Sequence, residues 1–308
     1  MSALSKYIPV FTILIISLPV FIFGLAEMTV IDFGNYEKLI TNELNAMNEG
    51  VARTRVDGTP GFILPPETMY VSNWIVELRS AMVRVPNILK SQCIAVESKE
   101  YNQTVLGIRI NFPESRQNDR AYIRPQFPLF AYNRQGNFAN VSNGIIVNVG
   151  VVKDVSIWVK GRNYPYDIAA RLTDNNNVTR EFFFGNMFFD NWRKLTWVNP
   201  NYIDSLKDRV VERKPMYPKD IPYYRFNSFV VYRDMAQIGG DFVFYIKNLT
   251  MTHDLYTTTM IDQDIDDEAV WKILRQRTLE DMDREHRALG ERSHDFGVQK
   301  GLMEEKPD

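Results

Sequence analysis

Residues 161–197 read GRNYPYDIAARLTDNNNVTREFFFGNMFFDNWRKLTW. From Asp167 to Thr173 the pattern alternates like a strand. It breaks at Asp174 to Asn177, residues that tolerate turns and left-handed backbone, and resumes through Phe182 and Phe184. Two alternating runs around such a turn predict a β-hairpin. RKLTW then predicts another short strand, stopped by Asn199-Pro200.

Further strands lie on both sides. In VLGIRINF, Leu106, Ile108, Ile110 and Phe112 share one face, and Gly107, Arg109 and Asn111 the other. NWIVELRS reads as an earlier strand, and AYIRPQFPLFAY as an extended segment whose prolines place it at an edge or a corner. GIIVNVGVVKDVSIWVKG holds two strands, with Ile145, Val147, Val149 and Val151 facing one way and Val155, Ile157 and Val159 facing the core. FNSFVVYRD and DFVFYIKNLTM are two more, separated by Ile238-Gly239-Gly240. Eight or more short strands with turn signals and no crossover helices predict a mainly β fold, an antiparallel sandwich or jelly roll. Ile157, Phe182, Phe184, Phe242, Phe244 and Ile246 fall at core parity.

The chain ends differ from this pattern. Lys6, an apolar run from Tyr7 to Phe23 and Gly24-Leu25-Ala26 make residues 1–26 an export signal cleaved before Glu27. The competing reading is an uncleaved anchor, since Tyr7 to Ala26 reaches the length of about 20 residues that a span needs. After cleavage, the mature chain would have no membrane-spanning segment. Residues 27–60 read as a helical segment, with Tyr36, Leu39, Ile40, Leu44 and Met47 near a helical period, and a linker. The sandwich is expected over 61–260. Residues 261–308 read as a charged helix, capped by Asp266 or Asp267, and a polar tail. Its short apolar face is Val270, Ile273 and Leu274, with Trp271 beside it.

Composition narrows the function. The 308 residues carry a net charge of −2, with 45% hydrophobic and 13% aromatic residues. This leaves no basic footprint for nucleic acid. Cys93 is the single cysteine, so no intrachain disulfide or thiolate metal site can form; a buried thiol is expected. His253, His286 and His294 lack ligand spacing. In DQDIDDE (262–268) an EF-hand loop would need Gly and Glu where Asp267 and Ile273 stand; helix capping explains these acids better. Asp167, Glu181 and Asp190 are carboxylates beside turns and strand ends, and no nucleophile, zinc-protease or phosphate-loop motif occurs. The residues therefore point to no catalytic site, cofactor or small-molecule substrate. Trp158 faces away from the core-parity residues of its strand, and Tyr164, Tyr166 and Trp192 lie near turns. These four are the candidate interaction aromatics, because exposed Trp and Tyr anchor protein interfaces or stack on sugars.

The block from Val152 to Ile203 resembles the spirochaete flagellar filament outer-layer family, FlaA. The family's strand and turn V-K-x-V-S-x-W-V-x-G-x-N-Y-P is matched by Val152, Lys153, Val155, Ser156, Trp158, Gly161, Asn163, Tyr164 and Pro165. Gly185, Phe188, Trp192, Pro200, Tyr202 and Ile203 match its later strand end and exit. VLGIRINFP and the stretch from Phe229 to Tyr256 are similar to flanking family strands, so the likeness covers about residues 105–256. Arg162, Tyr166, Met235 and the Ile246-Lys247 pair depart from it. The resemblance implies a carbohydrate-binding-module-like jelly roll. It also implies a sheath subunit in the periplasm that coats a flagellin core beside copies of itself or other sheath proteins, and so affects filament shape, stiffness and motility. The alternative is a periplasmic glycan-binding module, with an aromatic platform on one sheet face.

The export reading predicts Glu27 as the first residue of the cell-derived protein. N-terminal sequencing checks this; residues preceding Gly24 in the mature protein would overturn it.

Overall fold

The computed structural model describes residues 25–34, 71–79, 83–113, 118–126, 144–205, 222–256 and positions between 270 and 294. Twelve strands are described: β1 (Leu25–Asp32), β2 (Trp74–Leu78), β3 (Gln92–Ser98), β4 (Gln103–Phe112), β5 (Asp119–Pro125), β6 (Ile145–Val147), β7 (Val149–Arg162), β8 (Asp167–Asp174), β9 (Thr179–Asn186), β10 (Asp190–Val198), β11 (Tyr223–Arg233) and β12 (Gly240–Leu255). A short helix, α1 (Val85–Lys90), precedes β3. The strands form two six-stranded sheets. The first runs β10-β7-β12-β4-β3 with β1 also on β12; the second runs β2-β5-β11-β8-β9 with β6 on β11. Every pairing described is antiparallel. The expected β-sandwich is therefore observed.

The core lies between the sheets, where period-two alternation sends it. Leu106, Ile108, Ile110 and Phe112 come from β4, Val155, Ile157 and Val159 from β7, and Phe242, Phe244 and Ile246 from β12. Facing them are Ile168, Ala170 and Leu172 from β8, with Phe229 and Val231 from β11. Each fully buried Phe or Ile side chain contributes about 1.5–3 kcal/mol by leaving water. Aromatic packing concentrates at two places. Trp74 meets Phe33 edge-on at 5.1 Å and Phe226 at 5.6 Å. Phe242 touches Phe244, Tyr164 and Tyr166 at 4.7–4.9 Å. Where two sheet edges meet, Phe182 of β9 packs edge-on against Trp197 of β10 at 4.9 Å. Cys93 is buried, and burial pushes its thiol pKa up.

The opening hairpin is β8–β9. Asp174 Oδ1 accepts from the backbone N–H groups of Asn176 and Val178, and Asn177 takes φ +60°. Gly161 is demanded by a close approach. A Cβ there would lie 2.5 Å from the Phe189 carbonyl oxygen and 2.7 Å from that of Met187. Beside it, Asn163 at φ +58° donates its N–H to the Phe189 carbonyl.

Several local expectations are corrected. Leu25–Asp32 is a strand on β12, although residues 27–60 read as a helical segment, so the sandwich begins well before residue 61. The helical pattern from Tyr36 to Met47 lies outside the described residues. AYIRPQFPLFAY contributes β5, an inner strand between β2 and β11; Pro125 ends it, so no ladder bond is lost at an edge. Val151 is 55% exposed while Val149 and Val152 are buried, because Asn148 at φ +62° and register shifts in the β7–β12 ladder break the parity. At the C-terminal side, Val270 and Trp271 are 66% and 68% exposed and do not join the core.

His253 is fully buried on β12, opposite Ala26 and Val152. Its Nδ1 lies 2.8 Å from the Asp254 carbonyl, which only accepts, so Nδ1 carries the hydrogen. Nε2 is buried with no hydrogen-bond partner among the described residues. Burial holds the ring's pKa below its ordinary 6.5, against a smaller opposing pull from the Asp254 carbonyl. At pH values above 6.5 neither state is charged. As pH falls through 6.5, the unfolded chain takes the proton first, and stability declines until the lowered folded value is reached. The expected slope is at most about 1.4 kcal/mol per pH unit. His253→Leu should shrink the drop in thermal midpoint between about pH 7.5 and about pH 5.5. An unchanged drop would exclude this histidine as its source.

Candidate interaction face

The outer face of the first sheet carries two of the four candidate aromatics. On β10, Trp192 and Lys194 point outward; they stand opposite Lys160 and Trp158 of β7. The registers set Trp and Lys in a checkerboard across two strands. Lys160 also stands opposite Tyr245 of β12, and Trp158 opposite Asn248. Trp158, Trp192 and Tyr245 are each half-buried, so part of every ring reaches water.

Further contacts hold this face. Tyr101, from the turn between β3 and β4, meets Trp192 edge-on at 5.5 Å, and Lys247 Nζ lies 3.9 Å from the Tyr101 ring centroid. The Arg162 guanidinium sits 5.7 Å from the Tyr245 ring centroid. Such cation–aromatic contacts contribute about 0.5–1 kcal/mol at exposed sites. Toward one end, Asp241 accepts from Arg109 at 3.0 and 3.3 Å and from Asn111 at 2.8 Å. The Arg109 bonds, followed by the Asn111 bond, hold its carboxyl pKa below the usual value. At the other end Thr252 Oγ1 donates to Asp154 at 2.9 Å, and Ser156 and Thr196 hydroxyls lie 3.1 Å apart. The face is thus aromatic and cationic at its middle and polar at both ends.

Tyr164 and Tyr166 belong elsewhere. Tyr166 is 2% exposed and sits in the core, so its ring is not on the surface. Its hydroxyl donates to the Ile238 carbonyl at 2.5 Å, and burial raises its pKa. Tyr164 is half-buried, stacked on Tyr166 at 5.9 Å and edge-on to Phe242 at 4.9 Å. Tyr166 thereby ties the Asn163–Tyr166 turn to the loop before β12, while Tyr164 packs on Phe242 within β12. That loop is tied down again by a buried ion pair: Arg233 Nη1 donates to Asp119 Oδ2 at 2.8 Å, and Nη2 to the Gln237 carbonyl at 2.8 Å. Position near a turn is a poor guide to exposure when the turn folds back over the core.

Sequence reasoning missed several exposed rings. Phe183 and Phe188 are 49% and 67% exposed. Phe183 alternates with buried Phe182, so its outward parity was legible. Tyr245 alternates with Phe244 in the same way. Tyr101 carried no signal, since only the turn brings it to Trp192. Asp167, Glu181 and Asp190 do not converge with a third metal-ligating side chain: no group of three His, Cys, Asp or Glu fit to hold a metal occurs among the described residues. No helix among those residues is long and apolar enough to cross a membrane.

Comparison with known proteins now bears on this geometry. The sequence profile described as "Flagellar filament outer layer protein Flaa" matches residues 25–262. This chain belongs to the FlaA family. The match starts at β1 and runs past the end of β12, so it takes in the whole sandwich. Curated relatives called "Flagellar filament outer layer protein" are 35% identical over 227 residues in Spirochaeta aurantia, covering 68% of this chain and 66% of the relative. The Treponema pallidum (strain Nichols) relative is 30% identical over 238 residues, covering 69% and 68%. The Borreliella burgdorferi relative is 31% identical over 222 residues, covering 68% and 64%. The matched region spans about two thirds of the length of these relatives. Among solved structures, a CBM61 carbohydrate-binding module in complex with β-1,4-galactotriose is similar at a TM-score of 0.30 and 10% identity, over 61% of this chain and 93% of that one. A family 11 module from Clostridium thermocellum in complex with a mixed-linked tetrasaccharide gives a TM-score of 0.29, again at 10% identity, over 61% and 93%. At those scores the likeness carries no argument about what this FlaA member binds.

The placements separate two kinds of aromatic. Tyr166→Phe strands the Ile238 carbonyl and should cost about 1–3 kcal/mol. Trp192→Ala should cost about 1 kcal/mol or less, because it loses chiefly the Tyr101 contact. Paired denaturant titrations check this; equal losses would contradict the outward placement of Trp192.

Proposed function

We propose that this chain is a structural coat subunit of the periplasmic flagellar filament, exported by its N-terminal signal and packed around a flagellin core. The observation that carries the reading is the FlaA match over the entire sandwich, residues 25–262. The relatives' shared description as outer-layer proteins of the flagellar filament supports it. Such a subunit catalyses nothing. Its work is to present a rigid surface to neighbours, and the contact energy of each copy is multiplied along the filament.

Trp158 and Trp192 are the residues we assign to contact, with Tyr245 between the flanking cations; the partner is the flagellin core or an adjacent sheath subunit. Half-buried aromatics suit this role, because their rings are already held by the sheet and lose little freedom on binding. Tyr166 lies in the core and is withdrawn as a contact, while Tyr164, half-buried like the two tryptophans, packs against Tyr166 and Phe242.

Deletion is expected to leave cells viable with flagellin present, and to change filament thickness, curvature or stiffness and weaken swimming. Electron microscopy of isolated filaments and a motility assay measure this. Restoring the gene with Trp158→Ala and Trp192→Ala should recover folded protein but not normal coat occupancy. Normal filaments and swimming, in a deletion strain without a close paralogue, would overturn the coat role and favour the glycan-binding alternative, which oligosaccharide titration would then test.

A further inference from the structure

The outer face of the second sheet, on the opposite side of the sandwich, holds a cluster of a different kind. Arg120, Tyr122 and Arg124 project from β5, Arg171 from β8, and Arg79 follows β2. These five side chains line an open pocket of about 270 Å³. Tyr122 forms its floor and is 9% exposed. Around that ring the guanidiniums of Arg171, Arg120 and Arg79 lie 5.6, 5.8 and 5.9 Å from the centroid. Arg124 is 7% exposed.

Four guanidiniums share this pocket with two carboxylates. Glu77 contacts both Arg79 and Arg124. Glu181 lies 3.9 Å from Arg171 Nε, too far for a hydrogen bond, and instead accepts from the Tyr232 hydroxyl at 2.6 Å. Arg171 Nε is buried with no hydrogen-bond partner among the described residues. Among those residues Arg120 makes no ion pair; its guanidinium lies against the Tyr122 ring. Asp167, farther along the face, is engaged by Asn186 at 3.2 Å. Among the described residues, four positive and two negative groups line this concave, partly desolvated site, an excess of two positive charges. Cation–aromatic contact with one ring does not offset the mutual repulsion of three guanidiniums.

We propose that this pocket binds a tetrahedral, doubly charged oxyanion: phosphate, sulfate or a phosphate monoester. The fork of a guanidinium matches two oxygens of such a group, and several forks around one anion satisfy it on all sides. A dianion also balances the excess charge, which a neutral sugar or a single carboxylate does not. The site is separate from the coat-contact face and does not depend on the coat role.

The test uses the full mature chain and inorganic phosphate. Its thermal midpoint is followed as sodium phosphate replaces sodium chloride at constant ionic strength. A saturable rise of about 3 °C is expected once phosphate is about tenfold above its Kd. Arg120→Gln/Arg171→Gln should abolish the rise, whereas Lys90→Gln/Arg109→Gln, which removes equal charge from the region of the other sheet, should retain it. Should the first double variant fold poorly, Arg120→Gln alone, at an exposed side chain, should weaken phosphate about tenfold. Glycerol 3-phosphate distinguishes the sources. Binding as tight as phosphate identifies the end of a larger ester, and weaker binding identifies the free ion. No saturable rise, or an equal rise in the pocket variant, overturns the proposal.

Discussion

Strand β12 must satisfy hydrogen bonds on both edges over sixteen residues. Along one edge it pairs first with β4, through Gly240–Ile246, and then with β1, through Asn248–Asp254. The opposite edge pairs with β7 from Tyr245 to Leu255. A strictly pleated strand of that length would keep one parity throughout. Here the β7 register slips between Ile246 and Asn248, leaving Lys247 as the extra residue. The buried set accordingly changes from Phe242, Phe244 and Ile246 to Leu249, Met251 and His253. One bulge thus puts a second apolar set into the core and turns Lys247 outward toward Tyr101. The position of Lys247 beside Tyr101 and the burial of His253 both follow from that slip.

How much of this was legible follows from where bulges fall. In β4 the inward set Leu106, Ile108, Ile110 and Phe112 keeps one parity, and in the β8–β9 hairpin a single register shift, between Ile168 and Ala169, still leaves Phe182 and Phe184 inward, so these residues were readable directly. Elsewhere a register shift or a left-handed Asn flips the parity, as at Asn148, where the expected Val147–Val149–Val151 face divides between two sheets. Strand β1 was hidden for a related reason. Its alternation is short, the ladder slips between Thr29 and Ile31, and its first two residues belong to an apparent cleavage motif. A strand is recognised by neighbours as much as by its own pattern, and β1 is made a strand by β12.

The four candidate aromatics show the same limit for the surface. Trp158 was placed correctly by parity, since its neighbours Ile157 and Val159 are buried. Tyr164 and Tyr166 were judged by nearness to a turn, a criterion blind to what lies above it. The Asp119–Arg233 pair, two residues 114 positions apart, holds the loop to which the Tyr166 hydroxyl is bonded. No local pattern announces that pair, because a buried ion pair is defined by its partner and by the water it excludes.

The sandwich consequently has two chemically unlike outer faces. On the first sheet, aromatic rings and lysines lie interleaved, and the Trp192 ring already rests against Tyr101. Ordering a side chain at an interface costs about 0.5–1.5 kcal/mol when it begins free, so a ring braced in the monomer binds with less of that loss. On the second sheet the guanidiniums converge on one tyrosine, and cationic charge exceeds anionic. A face of that kind repels its own copy, because bringing two like clusters together in a partly desolvated contact is unfavourable. Self-association of identical subunits is therefore steered away from a pairing of second sheet with second sheet unless an anion stands between them. The first sheet carries no such veto: Glu27 and Lys194 sit 3.6 Å apart on it, and its charges are mixed in sign. The fold thus leaves one broad face suited to repeated protein contact and reserves the other for a charged ligand.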